Sequence, residues 1–454
     1  MNSKARIGNI AAPIIIALLC LGPVRDARSL PAFAAQTGQR CQACHVGGNW
    51  PELTPWGRFF KLSGYTVGKS AWSPESGFDH VPAGAFGQAG ITWGKQPNDA
   101  QGNPVFVDNG QLQLTEVTAY IAGKVTDFAG VFLEYSRANN FPGWSSGSDL
   151  MDARAVAWFH PGDHELLVGA TVNDDPTVQD VWNTVPAWTY PYYSSPVAPG
   201  PPANPIIGGL ANQVAGAGVY AWLDRKIYAE ISAYRTALGF WRWMSWGQSW
   251  NQAGGTTYVS GYNPYWRLNY SDQSGPNAWM VGTFGMQANV FPNNLQPSGA
   301  TDRFTDVGFD AQYQYLADLD KFTVRATYIH EKQNWNASFP LGNTSNPTDT
   351  VTQFTLSGTW WRDQWGLSAA YFQNNGSNDA SLYGVSTPSG TLVSTSPNTN
   401  GYVLELDYLI TQNIKIMAQY TGYLKFNGLS SNIDGIGRSA SDNSSFFLNL
   451  MVAY

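Results

Sequence analysis

Charge is scarce in this chain of 454 residues. Asp, Glu, Lys and Arg make up 13% of it, against about 25% in an ordinary globular domain. The formal net charge is −7 with no basic patch, which excludes a nucleic-acid partner. Long apolar runs are missing too. Beyond an N-terminal stretch centred on Ile14–Leu21, nothing approaches the ~20 apolar residues of a membrane-spanning helix. Cysteine is limited to Cys20, Cys41 and Cys44, so a disulfide framework is excluded. No Ser–His–Asp set, phosphate-binding glycine loop or paired catalytic carboxylates supports hydrolysis or phosphoryl transfer.

Aromatics, by contrast, reach 14%, with 19 Trp and 23 Tyr, and Gly is abundant. Mean hydropathy is mildly negative at −0.25. Few charges, many aromatics and near-neutral hydropathy describe a membrane β-barrel, whose strands alternate apolar and polar residues. Ile414–Phe426 carries that alternation: Ile414, Ile416, Ala418, Tyr420, Leu424 and Phe426 on one face, Lys415, Met417, Gln419, Thr421, Tyr423 and Lys425 on the other. Val307–Tyr315 and Tyr402–Leu409 repeat it, with Glu405 and Asp407 on the inner set.

About 16 such segments are expected, an even count within the outer-membrane barrel range. They start near Phe86, Gln111, Phe128, Asp149, His164, Gln213, Ile227, Asn263, Asn277, Asp302, Lys321, Val351, Trp365, Asn400, Ile414 and Ser444. Short connections such as Asp224–Lys226, Arg362–Gln364 and Thr411–Asn413 alternate with long ones, the longest about Asn173–Asn212. This is the arrangement of bacterial outer-membrane barrels, with both barrel ends on the periplasmic side. Phe446, Leu448, Leu450, Val452 and Tyr454 close the chain as an alternating strand with a terminal aromatic. A soluble sandwich or propeller does not account for these features, and no fixed-period repeat is present. Glu116, Glu134, Glu230, Asp310, Arg325, Glu405, Asp407, Lys415 and Lys425 are expected on the lumen wall.

The N-terminus reads as an export leader over residues 1–29: Lys4 and Arg6, then the apolar stretch, with cleavage between Val24 and Leu30. Leu19 before Cys20 is bulkier than a lipoprotein site accepts. The mature chain then keeps two cysteines, in Cys41-Gln42-Ala43-Cys44-His45. This spacing is that of c-type haem attachment: two thiols for thioether links, and His45 as proximal iron ligand. A zinc site needs further ligands, and a thioredoxin-like dithiol sits in a βαβ setting; neither is present. Residues 30–84 are too few to build a sizeable core unaided, and one covalent haem would supply it.

Thr54 as N-cap, Pro55 at the first position and Gly64 at the stop predict a helix over Pro55–Ser63. Trp56, Phe59 and Phe60 are candidates to pack on the porphyrin, and Arg58 and Lys61 to pair with its propionates. His80 is a candidate distal ligand; a Met or His from the barrel wall, or water, are the alternatives. The expected architecture is therefore an all-β transmembrane barrel over residues 85–454, plugged by a small, partly helical haem domain.

The run from Leu30 to Gly38, the Cys41–His45 motif, Pro51–Pro55 and Gly57–Tyr65 together resemble one family, the fused monohaem cytochrome–porins of the outer membrane, known from iron-oxidising bacteria. The motif resemblance covers Leu30–Val67; beyond it the likeness is architectural. It implies an electron-transfer protein that oxidises extracellular Fe(II) and passes the electron to a periplasmic cytochrome or cupredoxin. Under that reading Asp174, Asp175 and Asp180 are loop carboxylates that can attract Fe(II), an oxygen-seeking cation, and the loop Trp182–Tyr193 lines an entrance or lies along the membrane interface. Two other readings compete: a solute porin with a haem-bearing gate, and a haem enzyme of peroxidase type.

Overall fold

The computed structural model describes residues 32–48, 50–70, 82–96, 98–99, 102–106, 108–140, 143–176, 180–245 and 257–453. The leader, His80 and Tyr454 lie outside the described residues.

Sixteen strands form one closed antiparallel barrel. They are β1 (Ala83–Gly94), β2 (Leu112–Thr126), β3 (Ala129–Asn140), β4 (Gly143–Phe159), β5 (Leu166–Asn173), β6 (Val214–Leu223), β7 (Ile227–Thr236), β8 (Asn263–Ser274), β9 (Asn277–Val290), β10 (Asp302–Leu316), β11 (Asp320–Asn334), β12 (Thr348–Arg362), β13 (Trp365–Gly376), β14 (Thr399–Thr411), β15 (Ile414–Lys425) and β16 (Ser445–Ala453). Each pairs with its sequence neighbours, and β1 closes on β16 from Phe86↔Ala453 to Gly94↔Ser445. Closure leaves no free sheet edge, which a lipid environment demands. The strand starts read from alternation agree to within about three residues, with one exception. β4 begins at Gly143, not near Asp149, because Gly143–Ser148 extends the hairpin with β3. The β3–β4 connection is consequently short, where alternation predicts a long one.

The period of two separates the faces as expected. Phe309, Tyr313 and Tyr315 on β10 face outward and are exposed, while Asp310, Gln312 and Gln314 point inward and are buried. Close to the short turns, Tyr270, Trp279, Tyr315, Phe322, Trp360, Trp365 and Tyr408 ring the outer wall. This is the aromatic girdle of a membrane interface. It is tied by the Tyr270–Trp279 and Trp365–Tyr408 ring pairs and by Trp360 Nε1 donating to Asp320. β1 starts and β16 ends on this short-turn side.

The lumen is filled. Three short helices, α1 (Ala32–Thr37), α2 (Cys41–Cys44) and α3 (Pro55–Leu62), lie inside the barrel. α3 forms as its caps predict: Thr54 Oγ1 accepts from Gly57 N at 3.1 Å. At the other end, Gly64 takes positive φ, Gly64 N donates to Lys61 O, and Tyr65 N donates to Phe60 O. That is a Schellman stop, and the Tyr65 and Phe60 rings meet at 5.8 Å.

The plug is bonded to the wall on several sides. Glu52 pairs with Arg325 of β11 at 2.6 Å. Arg58 Nη1 donates to Gln312 and Gln314 of β10 at 3.1 and 2.9 Å. Tyr65 donates to Asp152 of β4 at 2.5 Å, and Tyr220 of β6 donates to Leu62 O. Val46 packs on Trp361 and Leu409. Each buried charge named here has a partner, as burial in low dielectric requires.

The long β5–β6 connection also folds inward. Asp180 accepts from the backbone of Trp182, Thr184 and Val185 and pairs with Arg267 at 3.4 Å. Arg267 reaches Asp310 at 2.5 Å. Trp182 and Tyr190 are buried. The loop therefore lines the lumen and not the membrane interface.

Candidate functional site

α2 holds Cys41 and Cys44 one helical turn apart. It is pinned against the start of α3: Thr54 Oγ1 donates to Ala43 O at 2.6 Å, and Thr54 N donates to Cys44 O at 2.9 Å. Gly57 sits on this contact. A Cβ there would lie 2.2 Å from Cys44 O, a backbone atom, so only glycine permits the approach. His45 follows in extended backbone, bridging antiparallel to Leu53.

Cys41, Cys44 and His45 all face one cavity of about 700 Å³. That volume lies within the ~300–1,000 Å³ of small-molecule and cofactor sites. Its walls come from three sources: Phe33, Phe60, Lys61 and Tyr65 of the plug; Trp188, Tyr192 and Tyr193 of the inserted loop; and Phe86, Glu116, Tyr120, Phe132, Glu134 and Asp149 of β1–β4. The plug and loop walls are mostly aromatic, and the β1–β4 wall mixes Phe86, Tyr120 and Phe132 with three carboxylates. Glu116 accepts from Gln88 at 2.6 Å, and Asp149 accepts from Ser136 at 2.8 Å.

Both thiols are free and half-buried. Burial, and then the charge of Cys41, push the Cys44 thiol up to about 11; burial also raises Cys41. Among the described residues no group of three or more His, Cys, Asp or Glu could hold a metal ion. Burial pushes the His45 imidazole down to about 4, against raising contributions from the backbone of Glu52 and Pro51. The ring is neutral at pH 7, the state in which imidazole binds metal. Burial, followed by the charge of Arg154, lowers Lys61 to about 8, and its Nζ lies 5.4 Å over the Trp188 ring.

Phe60 and Lys61 therefore line the cavity with the motif, and three other expected contacts do not. Arg58 points to the opposite side of α3, into β10, because Leu53 O, Gln312 and Gln314 satisfy its guanidinium there. Trp56 is 40% exposed at the short-turn mouth and stacks on Phe59 at 5.4 Å. Phe59 turns to Trp158 and Trp222. Asp174, Asp175 and Asp180 are buried, with Asp174 accepting from Ser148 and Met151 N. They hold the loop in place and offer no hydrated entry for a cation. His80 lies outside the described residues, and no methionine or second histidine of the described wall lines the cavity. The inserted loop's Trp188 and Tyr192 and the β1–β4 carboxylates are the wall residues that alternation alone does not bring together.

The closed barrel, its girdle and its polar interior define a porin-like barrel of the outer-membrane type, which fits the bacterial outer membrane. Solved structures similar to it include OmpT, an outer-membrane protein of Vibrio cholerae, at 10% identity, covering 82% of this chain and 97% of that one, TM-score 0.41. The outer-membrane channel DcaP of Acinetobacter baumannii shares 12% identity over 82% of this chain and 96% of that one, TM-score 0.42. An anion-selective porin from Comamonas acidovorans shares 9% over 82% and 99%, TM-score 0.42. No family model matches the chain, and no curated protein matches it.

Proposed function

We propose that the cavity receives one covalent c-type haem and that the protein carries single electrons from an extracellular donor to a periplasmic acceptor. The observation that carries this reading is the convergence of Cys41, Cys44 and His45 on one half-open, aromatic-rich cavity inside a closed barrel. The residues fit the group. Two free thiols stand ready for thioether links, and the neutral His45 can serve as proximal ligand. Bound there, the haem would supply one-electron exchange between ferric and ferrous iron.

The chain's own residues do the rest. Phe33, Phe60, Trp188 and Tyr192 present ring surface against which a porphyrin could pack. Lys61 offers the positive charge for a propionate. The Glu52–Arg325 and Arg58–Gln314 contacts hold the plug against the wall, fixing the site relative to the membrane. By the resemblance of Leu30–Val67, the donor is Fe(II), reaching the long-loop side, and the acceptor is a periplasmic cytochrome or cupredoxin at the short-turn mouth.

A second reading has one observation in its favour: the barrel is of the porin class, so the protein can be a solute channel with the plug as its gate. Conductance in planar bilayers separates the two, because a gate predicts ion flux that rises when the plug is loosened. A peroxidase-type enzyme would react rapidly with peroxide and carry a high-spin ferric spectrum. The direct test of the main reading uses intact cells. External Fe(II) should reduce the protein's absorption band, and a His45→Ala variant should abolish the response. A fully loaded protein that stays oxidised would refute Fe(II) as donor.

A further inference from the structure

Outward positions of a membrane barrel are exposed unless something covers them. On β4–β7, Phe159, Val168, Val172, Val219 and Ile231 are exposed in this way. Higher on the same wall three outward positions are buried: Met151 of β4, Ala215 of β6 and Ala237 just after β7. Their outward direction follows from their neighbours. Asp152 bonds to the plug, and Val214 and Tyr234 belong to the cluster inside the lumen. The cover is the 3₁₀ helix Gly239–Met244 of the β7–β8 connection, whose Met244 packs on Met151, Ala215 and Ala237, with Leu133 of β3 alongside. This helix therefore lies against the outside of the barrel.

Beneath it the wall is incomplete. β5 stops at Asn173, which pairs with Asp152 of β4 and Gly216 of β6. From Met151 back to Gly143, β4 has β3 on one side and, among the described residues, no strand on the other. β5 has 8 residues. Eight tilted residues rise only about 20 Å, short of the ~25 Å apolar band, so the gap opens within the membrane. Lipid cannot satisfy a free strand edge there.

On the lumen side Asp174 takes the place of the missing strand. Its N–H donates to Met151 O, and its carboxylate accepts from Met151 N and Ser148 Oγ. Asn212 Nδ2 spans the gap to Asp149 Oδ1 at 3.2 Å. The cavity that holds the cysteine motif reaches Asp149, Leu150 and Asn212. The gap thus has the cavity on one side and Met244 on the other.

We propose that Gly239–Met244 is a strap seated in the outer leaflet of the membrane, where it seals this lateral gap in the barrel wall. Two observations make lipid its neighbour. Val172 of β5 is exposed and pairs with Ala217, the outward position next below Ala215, so the lipid-facing surface runs up to the strap. The strap then turns Phe240, Trp241 and Trp243 away from the barrel, with Phe240 78% exposed. Indole rings favour the boundary between hydrocarbon and headgroups, and a contiguous apolar patch of this kind marks a contact surface. This inference does not depend on the haem.

The test places single nitroxide labels on the full-length chain in phospholipid bilayers, with Cys41→Ser and Cys44→Ser removing the native thiols. Heat-modifiable migration confirms the folded barrel in each variant. At Phe240→Cys and Trp243→Cys, collisions with oxygen, which concentrates in hydrocarbon, should exceed collisions with a water-soluble nickel chelate, as at Val219→Cys on the open wall. Leu341→Cys, in the β11–β12 connection, should show the reverse. Nickel-dominated collisions at both strap positions would overturn the proposal. So would exclusion of both agents, because a protein surface would then be the neighbour. Sealing is read separately at Leu150→Cys, on the cavity side of the gap. Met244→Gly, or the milder Met244→Ala, should raise oxygen collisions there several-fold. Folded barrels in which neither substitution changes them would overturn the seal.

Discussion

Glu52 of the plug meets Arg325 of β11 at 2.6 Å, and both side chains are fully withdrawn from water. The pair lies between the cavity motif and the barrel, so it transmits the position of one to the other. A buried pair adds little net stability, but removing one partner strands a charge, at a cost of about 3–5 kcal/mol. Arg325→Met alone should therefore loosen the plug, seen as faster proteolysis within residues 32–70 and new ion conductance in bilayers. The double variant Glu52→Gln/Arg325→Met should recover most of the loss. Equal behaviour of single and double variants would assign the effect to packing.

Gly57 offers a second handle. A methyl group there must displace Cys44 O, which is backbone and cannot rotate away. Gly57→Ala is expected to cost about 1–3 kcal/mol by overpacking. It should also separate α2 from α3, lowering covalent haem content in a haem stain of purified protein. Unchanged haem content would mean that the α2–α3 contact does not position the thiols.

Thr54 caps α3 and also holds Ala43 O. Thr54→Val removes both bonds while keeping the volume. Loss of the cap alone costs about 0.5–2 kcal/mol, so the midpoint of thermal unfolding should fall. Thr54→Ser should stay close to wild type, since the hydroxyl is retained.

Lys61 sets a pH dependence. Burial and the charge of Arg154 lower its pKa from the ordinary 10.5 to about 8. The folded state then binds fewer protons than the unfolded state between those values, so stability rises as pH climbs from 8 to 10.5. Below 8 the full penalty stands, at most about 3 kcal/mol for a shift of this size. In protein made without haem, Lys61→Met should be the more stable form at pH 7, and the difference should vanish above pH 10.5. With haem bound, a propionate beside Lys61 should erase that advantage. A gap that does not change with pH would remove Lys61 titration from the account.

The barrel was legible because its strands are one-sided. Lipid on one face and a polar lumen on the other impose a period of two, and Asp363 or Gly275 supply the left-handed positions of the tight turns. Alternation places the start of β4 too late, because Gly143–Ser148 is glycine- and serine-rich and lacks that contrast. In the plug, Thr54, Pro55 and Gly64 announced both ends of α3. Which face of α3 meets the cavity was not legible, since both faces are buried. Phe60 and Lys61 look into the cavity, and Arg58 looks into β10. The Trp182–Tyr193 loop was ambiguous for a related reason: Trp and Tyr suit a membrane interface and a crowded lumen alike. Only long-range pairs such as Asp180–Arg267 draw it inward.

The most direct measurement places the protein in sealed liposomes, with a membrane-impermeant reductant outside and a one-electron acceptor dye trapped inside. The account predicts rapid reduction of the dye with wild type and none above leak with Cys41→Ala/Cys44→Ala. Equal rates for the two, or an inert wild type that carries its full haem, would contradict it.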